Sequence, residues 1–245
     1  MTVTVETSSA GQWIAVFTLL LVVATFSGAA VAVLQDWIRS FIWHPELDLK
    51  ITPRPPDCHK IPMTWQTQQG IQQADCYYLR AQIDNTGKQA AELVEVFLGE
   101  VRQRTPNGRF ERRQAFMPMN LVWAHFNTPF LHRLSPHLPK HCNVAHVLKP
   151  SERARVPGSE DNPDFDRKKT ALSLDLVVSP NTLSHLLPPG TFRLKLVLGA
   201  ANTKPKTKWV EIALTGQWFD DENQMLSEGL QVRLLSDSEV EPIAP

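Results

Sequence analysis

The stretch Tyr77-Tyr78-Leu79-Arg80-Ala81-Gln82-Ile83-Asp84-Asn85-Thr86-Gly87 decides the fold class. Tyr77, Leu79, Ala81 and Ile83 alternate with Tyr78, Arg80, Gln82 and Asp84, a period of two that sends successive side chains to opposite faces of a sheet. Asp84-Asn85-Thr86-Gly87 then supplies turn chemistry. Val94, Val96 and Leu98 open a second strand that Gly99 is expected to bend, and Thr105-Pro106-Asn107-Gly108 is a hairpin signal.

The same alternation returns later. Leu172, Leu174, Leu176 and Val178 form one set, Phe192, Leu194, Leu196 and Leu198 a second. Val210, Ile212 and Leu214, and then Leu230, Val232 and Leu234, complete the series. After Pro45 no long helical period competes, apart from a single turn around Asn181 to Leu187. Short strands between Gly and Pro turns predict a mainly β chain, an antiparallel β-sandwich over residues 45–236. Leu79, Ile83, Val96, Leu174, Leu194, Leu196 and Ile212 are the expected core.

Two phrases carry a resemblance. Tyr78 to Gly87, followed by Ala90-Ala91-Glu92-Leu93-Val94-Glu95-Val96, resembles the strand, Asn-x-Gly turn and strand of bacterial immunoglobulin-like adhesion-type domains. Leu187-Pro188-Pro189-Gly190-Thr191-Phe192-Arg193-Leu194 is similar to their entry into a late strand. The resemblance covers about a third of the soluble region and implies a fold, with no site residue attached.

Ahead of the strands lies a segment with no ionisable side chain, Thr7 to Gln35, strongly apolar from Trp13 to Leu34. That exceeds the roughly 20 residues a bilayer crossing takes. Ala30-Val31-Ala32 offers a small-x-small cleavage pattern, but a signal peptide wants a basic start and a shorter apolar run. Length and flanks favour a retained single-pass anchor over residues 1–44, in contact with membrane lipid through residues 13–34. Arg39, Lys50 and Arg54 follow the span and no Lys or Arg precedes it, so basic flanks favour an outer N-terminus and a cytoplasmic sandwich; the extracytoplasmic alternative stays open. Leu34, Trp37, Ile38, Phe41 and Ile42 continue one apolar helical face until Pro45 stops it. Ala24, Gly28 and Ala32 form a small-x-x-x-small ladder along which two helices of a homodimer would pack.

The chain has 245 residues, 42% of them hydrophobic, and a net charge of +0. That balance gives no overall attraction to nucleic acid, and no nucleic-acid partner is expected. Cys58, Cys76 and Cys142 are an odd set without a CxxC, which fits a reducing compartment, with a Cys58–Cys76 bridge as the oxidised alternative. Cys76 falls out of phase with the inward residues and is expected at an exposed strand start.

Residues 117–169 show no regular period and are expected to be a long insertion folded onto the sandwich, rich in His, Pro and aromatic residues. Five of the eight histidines fall there: His125, His132, His137, His141 and His146. With Cys142, the run His137-x-x-x-His141-Cys142-x-x-x-His146 offers nitrogen and sulfur donors of the kind zinc prefers. The competing reading is a strand sending Cys142, Val144 and His146 to one side, or histidines packed on Trp123, Phe126 and Phe130.

Arg102, Arg104, Arg109, Arg112 and Arg113 flank the Asn107-Gly108 turn and suit either an anionic surface or a solvated hairpin. Residues 237–245 form an acidic and polar tail. No phosphate loop, dinucleotide fingerprint, GxSxG or HExxH occurs. The expectation is a membrane-anchored protein-interaction or scaffolding module with no cofactor, bound to a membrane or cytoplasmic protein. A zinc-dependent sensor or hydrolase built on His137, His141, Cys142 and His146 is the alternative.

Overall fold

The computed structural model describes residues 9–157 and 161–240. The chain divides into two compact units, Met1–His44 and Pro45–Pro245. In the first, helix α1 spans Ser9–Ile42. Its stretch Gly11–Gln35 is 25 residues long, long and apolar enough to cross a membrane, and every side chain along it is exposed. Thr18 and Thr25 return their hydroxyls to the carbonyls of Ile14 and Leu21 at 2.8 Å, so neither polar group is left bare on the apolar surface. Ala24, Gly28 and Ala32 lie exposed along this span. The side chains of Trp37, Ile38, Phe41 and Ile42, the expected apolar continuation, lie outside the described residues.

The second unit is mainly β. Its strands are β1 (Leu47–Lys50), β2 (Cys58–Lys60), β3 (Met63–Thr67), β4 (Gly70–Ala74), β5 (Cys76–Asn85), β6 (Ala91–Arg104), β7 (Phe110–Arg112) and β8 (Met119–Asn120). Then come β9 (Phe130–Leu134), β10 (Lys140–Leu148), β11 (Leu172–Leu174), β12 (Leu186–Leu187), β13 (Gly190–Ala200), β14 (Thr203–Leu214) and β15 (Leu230–Leu235). A six-stranded sheet runs β1-β5-β10-β11-β12, with β2 also on β5. A seven-stranded sheet runs β15-β14-β13-β6-β7, with β8 and β9 also on β6, while β3 and β4 form a separate hairpin. The strands pair antiparallel throughout the described residues.

Alternation makes the core. Leu79, Ala81 and Ile83 of β5 with Val147 and Leu172 face Val96 and Leu98 of β6, Leu194 and Leu196 of β13, and Ile212 of β14, all within one buried cluster. The seven expected core residues are each at most 2% exposed. Two sheets sharing one inner layer make a sandwich.

Three expectations need correction. Residues 117–169 are partly framework, because they hold β8, β9 and β10, and β10 lies between β5 and β11 inside the six-stranded sheet. Its period was masked by a bulge between Asn143 and Ala145 and by a covered outer face. Cys76 is fully buried, since the face opposite the main core carries a second cluster of Ala74, Cys76, Leu148 and Val156 against Met63, Trp65 and Tyr78. Around Asn181 to Leu187 turns lead into β12 with no helix, and Val178 is 60% exposed because its strand ends at Leu174.

Asn85, 0% exposed, ties one end of the sandwich together. Its Oδ1 accepts from the backbone N–H of Glu46 and Gly87, both at 3.1 Å. Its Nδ2 donates to the carbonyls of Gln89 (2.7 Å) and Leu134 (3.1 Å). Four partners satisfy the amide, so the strand entry at β1 and two loops are fixed by a single buried side chain.

Candidate functional site

Polar chemistry gathers on the outer face of the six-stranded sheet. Strand register sets His59 (β2), Tyr78 (β5), His146 (β10) and Ser173 (β11) side by side across four strands. Two residues along β5 from Tyr78, Arg80 donates from Nε to Asn143 Oδ1 at 3.1 Å, and its guanidinium lies 5.1 Å from the Tyr78 ring centre. The Tyr78 ring sits 5.6 Å from His146. These residues share a face because the outward positions of paired antiparallel strands are neighbours.

Two histidine–aspartate pairs bracket this row. His146 Nδ1 meets Asp175 Oδ1 at 2.9 Å, and His141 Nε2 meets Asp57 Oδ1 at 3.0 Å. Asp57 is 2% exposed and also accepts from the Thr52 N–H at 2.9 Å. His59, across Tyr78 from His146, has its Nδ1 buried, with the Pro56 backbone beside the ring. Burial first, then the charge of Arg80, pulls its pKa below the ordinary histidine value, so the imidazole prefers to stay neutral.

The expected metal ligands do not converge. His137 sits in the loop before β10 at a left-handed φ of 57°. Cys142 pairs with Ala81 and points into the core, whereas the bulge after Asn143 turns His146 to the outer face with Tyr78. His141 points to the Asp57 side of the sheet. Among the described residues no three His, Cys, Asp or Glu side chains are grouped as a metal would need. Burial pushes the Cys142 thiol up, and pushes Cys58 up to about 12, which favours neutral thiols over ligating or nucleophilic thiolates. No disulfide joins the cysteines; Cys58 on β2 belongs to the inner cluster and Cys76 on β5 to the outer one, on opposite faces of the six-stranded sheet.

Ser173 stands opposite His146, which sets serine, histidine and aspartate near one another. A serine nucleophile is activated by a hydrogen bond to its base. The Ser173 hydroxyl has no hydrogen-bond partner among the described residues and the residue is 4% exposed, so this group packs and does not form a triad.

The arginines divide. Arg102 is 6% exposed, bonded to Glu100 Oε1 at 2.6 Å and stacked 4.5 Å from the Trp209 ring. Arg113 donates to Gln103 Oε1 at 2.7 Å. Arg104, Arg109 and Arg112 are exposed around the turn. Across the outer face of this seven-stranded sheet, Arg193 bonds Glu211 at 2.9 Å, and Arg233 bonds Glu211 at 2.8 Å and Glu239 at 2.5 Å. The hydrogen bonds from Arg233 and Ser236 hold Glu239 down to about 2.

Lys60 and Lys149 both bond Asp220 Oδ1, at 3.1 and 3.3 Å, beneath Trp218. With the Trp218 indole they hold the Asp220 carboxyl at about 2. Tyr77 donates its hydroxyl to the Phe219 carbonyl at 2.9 Å, latching the loop after β14 onto β5.

Sequence reasoning missed Asp57, His59, Arg80, Asp175 and Arg193. Arg80 and Arg193 were visible as outward positions of alternating strands; Asp57 and Asp175 lie outside any periodic run and are brought in only by pairing. The chain matches no family model, no curated protein and no solved structure.

Proposed function

We propose that this chain is a single-pass membrane-anchored β-sandwich that works as a protein-interaction or scaffolding module, with the sandwich on the cytoplasmic side. One observation carries the reading. The stretch Gly11–Gln35 is uncharged, of spanning length and exposed along its whole course. In water such a surface is unfavourable at roughly 25 cal/mol per Å² of apolar area, and a bilayer removes that penalty.

The polar faces support an interaction role over a catalytic one. His141, His146, Arg80 and Arg102 are each held by a neighbouring acid or amide, which makes them rigid surface or packing groups. The basic flanks Arg39, Lys50 and Arg54 support the cytoplasmic side.

Membrane fractionation tests the anchor. The full chain is expected to stay in the pellet after alkaline extraction, and a chain starting at Pro45 to be released. Release of the full chain would overturn the reading. A C-terminal alkaline phosphatase fusion is expected to be inactive; high activity would place the sandwich on the other side. Cross-linking in native membranes should then yield a discrete protein adduct that the Pro45 chain forms less well.

A further inference from the structure

We propose that the rim of the sandwich around Pro45 docks on anionic lipid headgroups of the bilayer that holds the helix. The proposal rests on the membrane reading above.

Pro45 is the first residue of the sandwich, and its carbonyl accepts from Thr203 Oγ1 at 3.0 Å. Thr203 closes the β13–β14 hairpin, whose Ala201 N–H bonds the Glu92 carbonyl at 2.8 Å. Asn85 links the same end to the loops before β6 and after β9, and its own carbonyl accepts from the His137 N–H at 3.0 Å. Pro45 follows Ile42 by three positions, a reach of at most about 10 Å. Residues 36–42 add roughly 10 Å of helix beyond the apolar span. The tether therefore keeps this rim within reach of the headgroup layer.

What the rim exposes matches that layer. Leu93 is 50% exposed, Leu138 61% and Phe130 40%. Leu93 and Phe130 line a surface hollow of about 500 Å³ with Gly199, Ala200, Ala201 and Pro205, and Glu95 stands at it as the one charged side chain. Leu93 holds a left-handed φ of 50°, a conformation a bulky residue avoids, and it turns its side chain outward next to buried Val94.

Around these side chains Lys88, Lys140 and Lys204 are exposed and make no ion pair with any described residue. Of the acidic neighbours, Glu46 pairs with Lys206 and Glu92 lies across from Arg133, while Glu95 accepts from Asn120 and keeps its charge, so Glu92 and Glu95 stand against the three lysines and Arg133. Lysine is depleted at protein interfaces but suits anionic headgroups, and separate apolar side chains between lysines are the make-up of an interfacial contact.

The full chain is reconstituted in nanodiscs of phosphatidylcholine alone or with one part in three phosphatidylserine. An environment-sensitive dye goes on Gln89→Cys, or on Arg109→Cys at the far end of β6. Cys58, Cys76 and Cys142 are all 0% exposed, so the introduced thiol takes the label.

The Gln89 dye is expected to shift to the blue and to be quenched by brominated lipid in discs containing phosphatidylserine, while the Arg109 dye stays aqueous. Changing Lys88, Lys140 and Lys204 to Ala should lower the docked-to-free ratio on the order of a hundredfold. A Gln89 dye that stays aqueous in both discs, on a chain that co-elutes with them, overturns the proposal, as does shielding of the Arg109 dye instead. Shielding of Gln89 in native membranes but in neither disc also overturns it and assigns the rim to a protein. A chain that does not co-elute with the discs overturns the membrane reading itself.

Discussion

The seven-stranded and six-stranded sheets contribute to the same core yet differ on their outer faces, and the difference decides how each is read. On the seven-stranded sheet Glu100, Arg102, Arg193, Glu211 and Arg233 form an ion-paired layer, with Arg233 51% exposed at its edge and Glu100, Arg102 and Arg193 each at most 9%. On the six-stranded sheet one end of the outer side is covered: Val156 closes over Cys76 and Leu148, and Arg153, 3% exposed, donates to the Asp166 carbonyl at 3.1 Å. A strand wet on one side keeps a clean period of two; one buried on both sides loses it.

The largest test of this comparison is the register of β13. Leu196 is 0% exposed while Lys195 lies outward, across from Glu100 and Trp209. Leu196→Ala is expected to destabilise by about 2–5 kcal/mol, in the range for buried Leu truncations. Lys195→Ala should stay within about 0.5 kcal/mol. Thermal unfolding of the detergent-solubilised chain measures both, and equal shifts would mean the inner and outer faces are exchanged.

The same contrast explains what the sequence made legible. Strands β5, β6, β13 and β14 were readable because polar residues such as Arg80, Gln82, Lys195 and Glu211 mark their outward positions. Strand β10 was not: Ala145, His146, Val147 and Leu148 are all buried, and the bulge after Asn143 breaks the phase. The site suffered more. His141, Cys142 and His146 looked like one ligand set by spacing, but pleating and the bulge send Cys142 inward and the two histidines outward. Their acids, Asp57 and Asp175, come from 84 and 29 residues away along the chain, a distance that only pairing closes.

The next test breaks a covered pair. His141→Ala leaves Asp57 in a site 2% exposed with the Thr52 N–H as its remaining partner. Losing one partner of a buried polar group typically costs about 1–3 kcal/mol, and the melting temperature should fall accordingly. His141→Gln, which can still donate, should recover part of the loss. If Ala and Gln behave alike, the pair adds nothing and the outer face is held by packing alone.

On the seven-stranded sheet the matching change is milder. Arg102→Met keeps an apolar stem over Trp209 and leaves Glu100 beside Lys195, its cross-strand neighbour. The expected loss is about 1 kcal/mol, the order of one cation–π contact. Denaturant unfolding in low and high salt sharpens the comparison. With the Arg102 and Glu100 side chains each at most 9% exposed, the Arg102 effect should persist in high salt, as the His141 effect does. A larger loss at Arg102 than at His141 would reverse the ranking of the two faces.

The smallest effect is a pH slope. Burial, and after it the Arg80 charge, lower the pKa of His59, while Glu222 opposes and His141 adds to the lowering. A histidine whose folded value is depressed contributes stability that is present above its unfolded value, about 6.5, and is lost as pH falls through the folded one. The geometry gives the reason. The Nδ1 side of the ring is buried, and the Pro56 carbonyl offsets the cost of charging it only in part. Between about pH 7.5 and pH 5.5 the unaltered chain should therefore lose more stability than His59→Gln, which has no proton to gain. Carboxylates titrate alike in both chains and cancel in the difference. Parallel pH profiles for the two would show that His59 takes up its proton without penalty.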